Sequence, residues 1–118
     1  MSETEKGLPH DRPTMGELVE AVREWLERDV MASTDGRLQF HARVAANMLA
    51  MVERELEMGP AQASAHRQRL AQLGVGDDAE LAARIRDGSL DGRIDDVRRL
   101  VWESVRDKLA VANPKYLD

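Results

Sequence analysis

The chain contains no cysteine. This excludes a disulfide scaffold, a thiol nucleophile and a thiolate metal site. Aromatics are almost as scarce, with one phenylalanine, one tyrosine and two tryptophans among 118 residues. No apolar run approaches the ~18 residues that would span a bilayer, and the polar opening from Met1 to Arg12 lacks the apolar stretch of a signal peptide. Neither GxGxxG nor GxxxxGK[ST] occurs, so no glycine-rich phosphate loop is encoded, and no GxSxG elbow is present. Positive charge is in deficit, 17 Lys and Arg against 22 Asp and Glu. That balance argues against a nucleic-acid binder with a general basic surface. The expectation is a soluble cytoplasmic protein with no membrane and no nucleic-acid partner.

What is present is helical periodicity. Residues 1–13 carry charge, glycine and proline without an apolar period and read as a flexible N-terminal arm. Residues 14–118 read as one helical domain. Thr14 and Glu17 form a capping-box pattern, and Met15, Leu18, Val19, Val22, Trp25, Leu26 and Val30 follow at helical spacing, predicting a helix from Met15 to Met31. Ser33 to Gly36 is a turn cluster. A second helix is predicted from Arg37 to Met58, stopped by Gly59-Pro60, and a third from Pro60 to Leu73, closed by Gly74. Asp77 with Glu80 opens a short fourth helix that Gly88 ends. The last runs from about Ile94 to Ala112 and halts at Pro114. No segment alternates like a strand. The predicted fold is all-α, a single-domain bundle of about five helices, three long and two short.

The candidate chemistry is sparse. His10, His41 and His66 lack close helical spacing, so no metal site is expected, and His10-Asp11 would bind a metal only adventitiously. His41 projects from the apolar face that carries Leu38, Val44, Ala45 and Met48. It reads either as a core histidine with both nitrogens satisfied or as a residue lining a pocket or partner contact. Phe40, Arg43, Asn47, Met51 and Arg54 fall along one side of the same helix. Phenylalanine, arginine and methionine are the residue types enriched at interface cores; alternatively Phe40 and Met51 belong to the interior. Glu17, Glu20, Glu24 and Glu27 form an acidic ridge of the ordinary solvent-facing kind. The arginines of the later helices could hold a phosphate, yet surface ion pairs such as Asp95 with Arg99 account for them more simply. Lys108 lies in an apolar sector and is expected to snorkel. Tyr116 and Leu117 in Asn113-Pro114-Lys115-Tyr116-Leu117 suggest a tail that docks. No pair of carboxylates resembles a general acid and base, so no catalytic residue is assigned.

Three stretches carry a resemblance: HDRPTMGELVEAVREWLERDVM (10–31), GRLQFHARVAANMLAMVERELEMGP (36–60) and VRDKLAVANPKYL (105–117). Together they resemble the small helical partner proteins that accompany aminoglycoside-phosphotransferase-like kinases. The chain looks similar to the accessory subunit of a 4-hydroxyacyl-CoA kinase of levulinate-type catabolism. The resemblance implies a non-catalytic subunit that binds and supports such a kinase. The large subunit would use ATP and Mg²⁺ to phosphorylate the 4-hydroxyl of an acyl-CoA, and an acyl-CoA-dehydrogenase-like enzyme would then eliminate the phosphate. No cofactor is expected on the small chain itself. The partner-binding residues expected from these motifs are Arg37, Phe40, His41, Arg43, Asn47, Arg54, Asn113, Lys115 and Tyr116. Three other readings compete. One is a self-associating bundle, a homodimer, that binds an acyl-CoA or another small ligand. One is a small acyl-CoA enzyme with His41 as base. One is a helix-turn-helix DNA binder, which the net charge and the acidic first helix oppose.

Overall fold

The computed structural model describes residues 12–117, and every regular element among them is helical. Helix α1 (Met15–Trp25) runs into a π-helical turn (Leu26–Val30) and a last short piece, α2 (Met31–Ser33). Helix α3 (Gly36–Gln72) has 37 residues. Helix α4 (Asp78–Arg86) is short, and α5 (Ile94–Ala112) has 19 residues, preceded by a 3₁₀ turn at Asp91–Arg93 and followed by another at Pro114–Leu117. None of these helices is long and apolar enough to cross a membrane. The chain divides into two compact units, Met1–Gly59 and Pro60–Asp118. Most of the expected N-terminal arm, including His10, lies outside the described residues.

The end signals act as the sequence anticipates. Thr14 Oγ1 accepts from the Glu17 amide at 3.2 Å, and Glu17 Oε1 accepts from the Thr14 amide at 3.0 Å, which closes the capping box of α1. At the far end, the Thr34 hydroxyl donates to the Val30 carbonyl, and Gln39 Nε2 donates to the carbonyls of Met31 and Thr34. These bonds satisfy carbonyls that a helix terminus leaves without partners. Gly74, at φ 76°, lets the Val75 amide reach back to the Leu70 carbonyl at 3.0 Å, a Schellman closure. Asp77 Oδ1 caps α4 through the Glu80 amide at 2.8 Å.

One expected boundary does not exist. Gly59-Pro60 does not stop the second predicted helix, and the predicted second and third helices are one, α3, with Pro60 inside it. A glycine stop needs the left-handed conformation, and among the described glycines Gly36, Gly74 and Gly88 adopt it while Gly59 does not. Pro60 removes a single ladder bond. The strong helix formers on both sides, Glu53 to Met58 and Ala61 to Ala65, carry the helix past that loss.

The units differ in their interiors. The second has a conventional core of Leu70, Leu73, Val75, Leu81, Leu90, Val97 and Leu100. Among the described residues of the first, those buried are Thr14, Ala42 and Ala46. The expected core face of α1 is therefore not a core: Met15, Leu18, Val22 and Trp25 are each about half exposed. The buried positions of the first unit are small, Ala42 and Ala46 among them, so its larger apolar side chains stay at its surface.

Gly59 sits inside α3 with ordinary helical geometry, and an added Cβ would meet only Glu55 Cγ at 3.8 Å. Gly59→Ala should therefore stabilise the protein by about 0.5–1 kcal/mol. Thermal unfolding should show a rise in Tm of about 3 °C; an unchanged or lowered Tm would contradict the helical assignment at this position.

Candidate functional site

The first unit is a helical hairpin with two unlike faces. Arg23 lies opposite Glu53 and Met31 opposite Gln39, so α1 and the first part of α3 run antiparallel. At 100° per residue, the seam positions are Val19, Arg23 and Leu26 on α1 and Ala42, Ala46 and Glu53 on α3. On one side of the seam lies a groove of about 780 Å³. On the other side both helices turn large apolar residues outward.

The groove is lined by four arginines, Arg12, Arg23, Arg43 and Arg54, and five glutamates, Glu17, Glu20, Glu27, Glu53 and Glu57. Arg23 organises it. Its Nε donates to Glu53 at 2.7 Å and its Nη1 to Glu27 at 2.7 Å. Both carboxylates hold the guanidinium in its charged form, with Glu53 the stronger influence. Arg23 and Glu53 are each about three-quarters buried as side chains, so this bond is less screened than a surface pair. The acidic ridge expected on solvent is thus one wall of the groove, with Glu24 turned aside to Arg28. Arg12 pairs with Glu17 across the cap.

Of the residues expected to bind a partner, the structure gathers Arg43, Asn47 and Arg54 along the groove. Phe40 stands exposed on the same ridge. Arg43 is exposed, with no ion-pair or hydrogen-bond partner among the described residues. The interior reading of His41 is overturned: His41 is exposed, accepts a long 3.4 Å bond from Arg37 Nε, and meets the Phe40 ring edge-on at 5.6 Å. It lies about 160° around α3 from Arg43, which is why no single site collects all six residues of this helix. Asn113, Lys115 and Tyr116 belong to the second unit. There the tail folds as a 3₁₀ turn, and Tyr116 is 73% exposed, so its ring does not dock.

The second unit holds a network that the sequence did not signal. Ser104 Oγ is 2.9 Å from His66 Nδ1, and His66 Nε2 is 2.8 Å from Asp78 Oδ1. The residue types match a hydrolase triad, but the surroundings do not. Ser104 lies in mid-helix on α5, where main-chain amides are committed to the ladder and none is free to stabilise an oxyanion. Its hydroxyl also accepts from Arg69 Nη1 at 3.0 Å, and Arg69 is held in turn by Asp107 at 2.9 Å and Glu103 at 3.3 Å. The network ties α3, α4 and α5 together. Each partner lies 12 or more residues from His66 or Arg69 in sequence, so spacing rules could not find it. The expected Asp95–Arg99 pair is also absent: Arg99 lies 3.6 Å from Asp96 and 3.8 Å from Glu103 instead. Lys108 is exposed. No group of three metal-ligating side chains occurs among the described residues.

Two measurements probe the groove. Arg23→Met should destabilise the protein by about 1.5–3 kcal/mol, the loss expected for hydrogen bonds to charged partners, read by urea unfolding; a change under 0.5 kcal/mol would remove Arg23 as its organiser. Glu17 is the second probe. The Arg12 guanidinium, the Thr14 amide and the Thr14 hydroxyl lower its carboxyl from an ordinary 4.5 to about 2. The folded form thus favours the charged carboxylate. Its contribution is complete above pH 4.5 and is lost as pH falls towards 2. A carboxyl-carbon NMR titration should place Glu17 near 2, and a midpoint above 4 would refute the cap geometry.

Residues 32–116 match the family described as a domain of unknown function, DUF6285. The match covers well over half of the chain, and the chain belongs to this family. No curated protein and no solved structure matches it.

Proposed function

We propose that this DUF6285 chain is a non-catalytic accessory subunit that binds and supports an aminoglycoside-phosphotransferase-like kinase acting on a hydroxyacyl-CoA. The observation that carries the reading is the outer ridge of α3. It presents the single phenylalanine of the chain at 57% exposure, Arg43, which has no side-chain partner among the described residues, Asn47 and the partly exposed Met51, beside a groove of alternating charge. An aromatic, an arginine and a methionine on one exposed strip are the composition of an interface centre with a polar rim. The identity of the partner rests on the three stretches, 10–31, 36–60 and 105–117, that resemble kinase partner proteins. Two of the three contain the residues singled out here.

In this reading the division of labour follows from the chemistry of phosphoryl transfer. Such a reaction needs a phosphate cradle, acids that hold Mg²⁺ and a residue that orients the attacking hydroxyl. These belong to the kinase, together with ATP and Mg²⁺. The small chain contributes binding energy: Phe40 enters a pocket of the partner, Arg43 meets an acidic group there, and the groove glutamates set the charge pattern that the partner must complement. Arg37, His41, Asn113, Lys115 and Tyr116 supply the remaining proposed contacts.

The test is co-expression with the phosphotransferase-like protein encoded nearest to it, followed by pull-down and an ATP-consumption assay on a 4-hydroxyacyl-CoA. Turnover should require both chains. Phe40→Ala with Arg43→Ala should weaken the complex by at least about tenfold, the effect of losing ~1.4 kcal/mol of binding, while helical circular dichroism stays unchanged. Full activity of the kinase alone, or undiminished binding by the double variant, would refute the proposal.

A further inference from the structure

Among the described residues of the first unit, none covers the face of the hairpin opposite the groove. On α3 it consists of Val44, Met48 and Val52, exposed by 38%, 61% and 40%, with Met51, 38% exposed, at its border with the ridge of Phe40 and Arg43. On α1 it consists of Met15, Leu18, Val22 and Trp25, exposed by 48–59%. The handedness of the two helices places both stripes on one side. Each stripe lies on the side of the seam away from the groove, and antiparallel neighbours reverse their sense together. At ~200 Å² for a large side chain and half exposure, these eight residues present roughly 800 Å². That is one partner's share of a standard stable interface. Solitary proteins rarely leave a contiguous apolar patch of this size open.

The order of residues along α3 identifies the occupant. The stripe reads His41, Val44, Ala45, Met48, Met51, Val52, Glu55. About Met48 this order is symmetric in position, with apolar residues mirrored on apolar ones and a basic and an acidic residue at its two ends. Val44 mirrors Val52, Ala45 mirrors Met51, and the basic His41 mirrors the acidic Glu55. Arg37 stands one turn beyond His41 and bonds to it, so the N-terminal end of the stripe is the donor-rich end. A surface with this symmetry is complementary to a second copy of itself turned end for end, the arrangement a two-fold axis creates. The spacing of three and four residues is also that of knobs-into-holes seams.

We infer that this face is the interface of a homodimer. The α3 helices of two copies cross antiparallel at Met48, Val44 packs on Val52 of the second copy, and His41 meets its Glu55. The same two-fold lays α1 on α1, with Trp25 near the axis, and two hairpins complete a four-helix layer. The ridge of Phe40, Arg43 and Asn47 stays outside this contact. Met51 and His41, also among the proposed kinase contacts, lie within it, so the dimer is tested on the chain without the kinase.

The absence of cysteine makes the test direct. Light scattering of the whole chain should give twice its 13.2 kDa mass at tens of micromolar. Met48→Cys should form a disulfide-linked dimer on mild oxidation, because a residue on the axis meets its own copy. Asn47→Cys, one residue away on the ridge, should remain unlinked. Glu55→Arg should weaken the dimer at least tenfold, and His41→Glu combined with Glu55→Arg should restore it. A monomer up to about 100 µM, equal cross-linking at positions 47 and 48, or a dimer indifferent to both charge variants would overturn the inference. Circular dichroism of each variant separates loss of the dimer from loss of the fold.

Discussion

The Arg23–Glu53 bond between α1 and α3 is the constraint on which the first unit depends. The buried side chains of that unit, Thr14, Ala42 and Ala46, cover little apolar surface; each methyl-sized group contributes only about 0.8 kcal/mol. Arg23 compensates by reaching Glu53 on α3, while Glu27, four residues on along its own helical stretch, holds the same guanidinium. The consequence is a hairpin whose specificity is polar and whose larger apolar residues remain on its outside. The second unit is built the other way, around seven buried leucines and valines, with its polar network at the margin.

This difference bears on function. A unit that keeps its apolar side chains outward is poorly stabilised alone and gains by association, because the same surface that is costly in water becomes the driving force at an interface. The first unit divides this surface by chemistry. One side of α3 is mirror-symmetric and largely apolar. The neighbouring ridge is asymmetric, carries Phe40 and Arg43, and borders a groove of mixed charge. A symmetric face suits an identical copy, and an asymmetric one suits a different protein, so one helix has room for both roles.

Much of the local structure was legible in the sequence. Thr14 with Glu17, Asp77 with Glu80, Gly74 and Gly88 are end signals whose hydrogen bonds involve residues three to five apart, and the structure forms them. Gly59-Pro60 misled because the same pair reads as a stop only when the glycine turns left-handed, which tertiary context decides. The apolar period of α1 correctly gave a helix and wrongly gave a core. Periodicity reports that a stripe exists and is silent on what covers it. Arg43, Asn47 and Arg54 emerged from spacing alone because they share one helix. Arg23–Glu53 and His66–Ser104 did not, since each joins elements 30 or more residues apart.

The most direct test of the account uses the methionines as reporters. Of the six in the sequence, Met15, Met48 and Met51 lie on the open apolar face, Met31 lines the groove, and Met58 is half-buried within α3. Methyl NMR spectra recorded on serial dilution should show concentration-dependent shifts at Met15, Met48 and Met51, with Met31 and Met58 unmoved. Shifts at all positions alike, or none on that face across the dilution series, would contradict the claim that the hairpin keeps its apolar face for association.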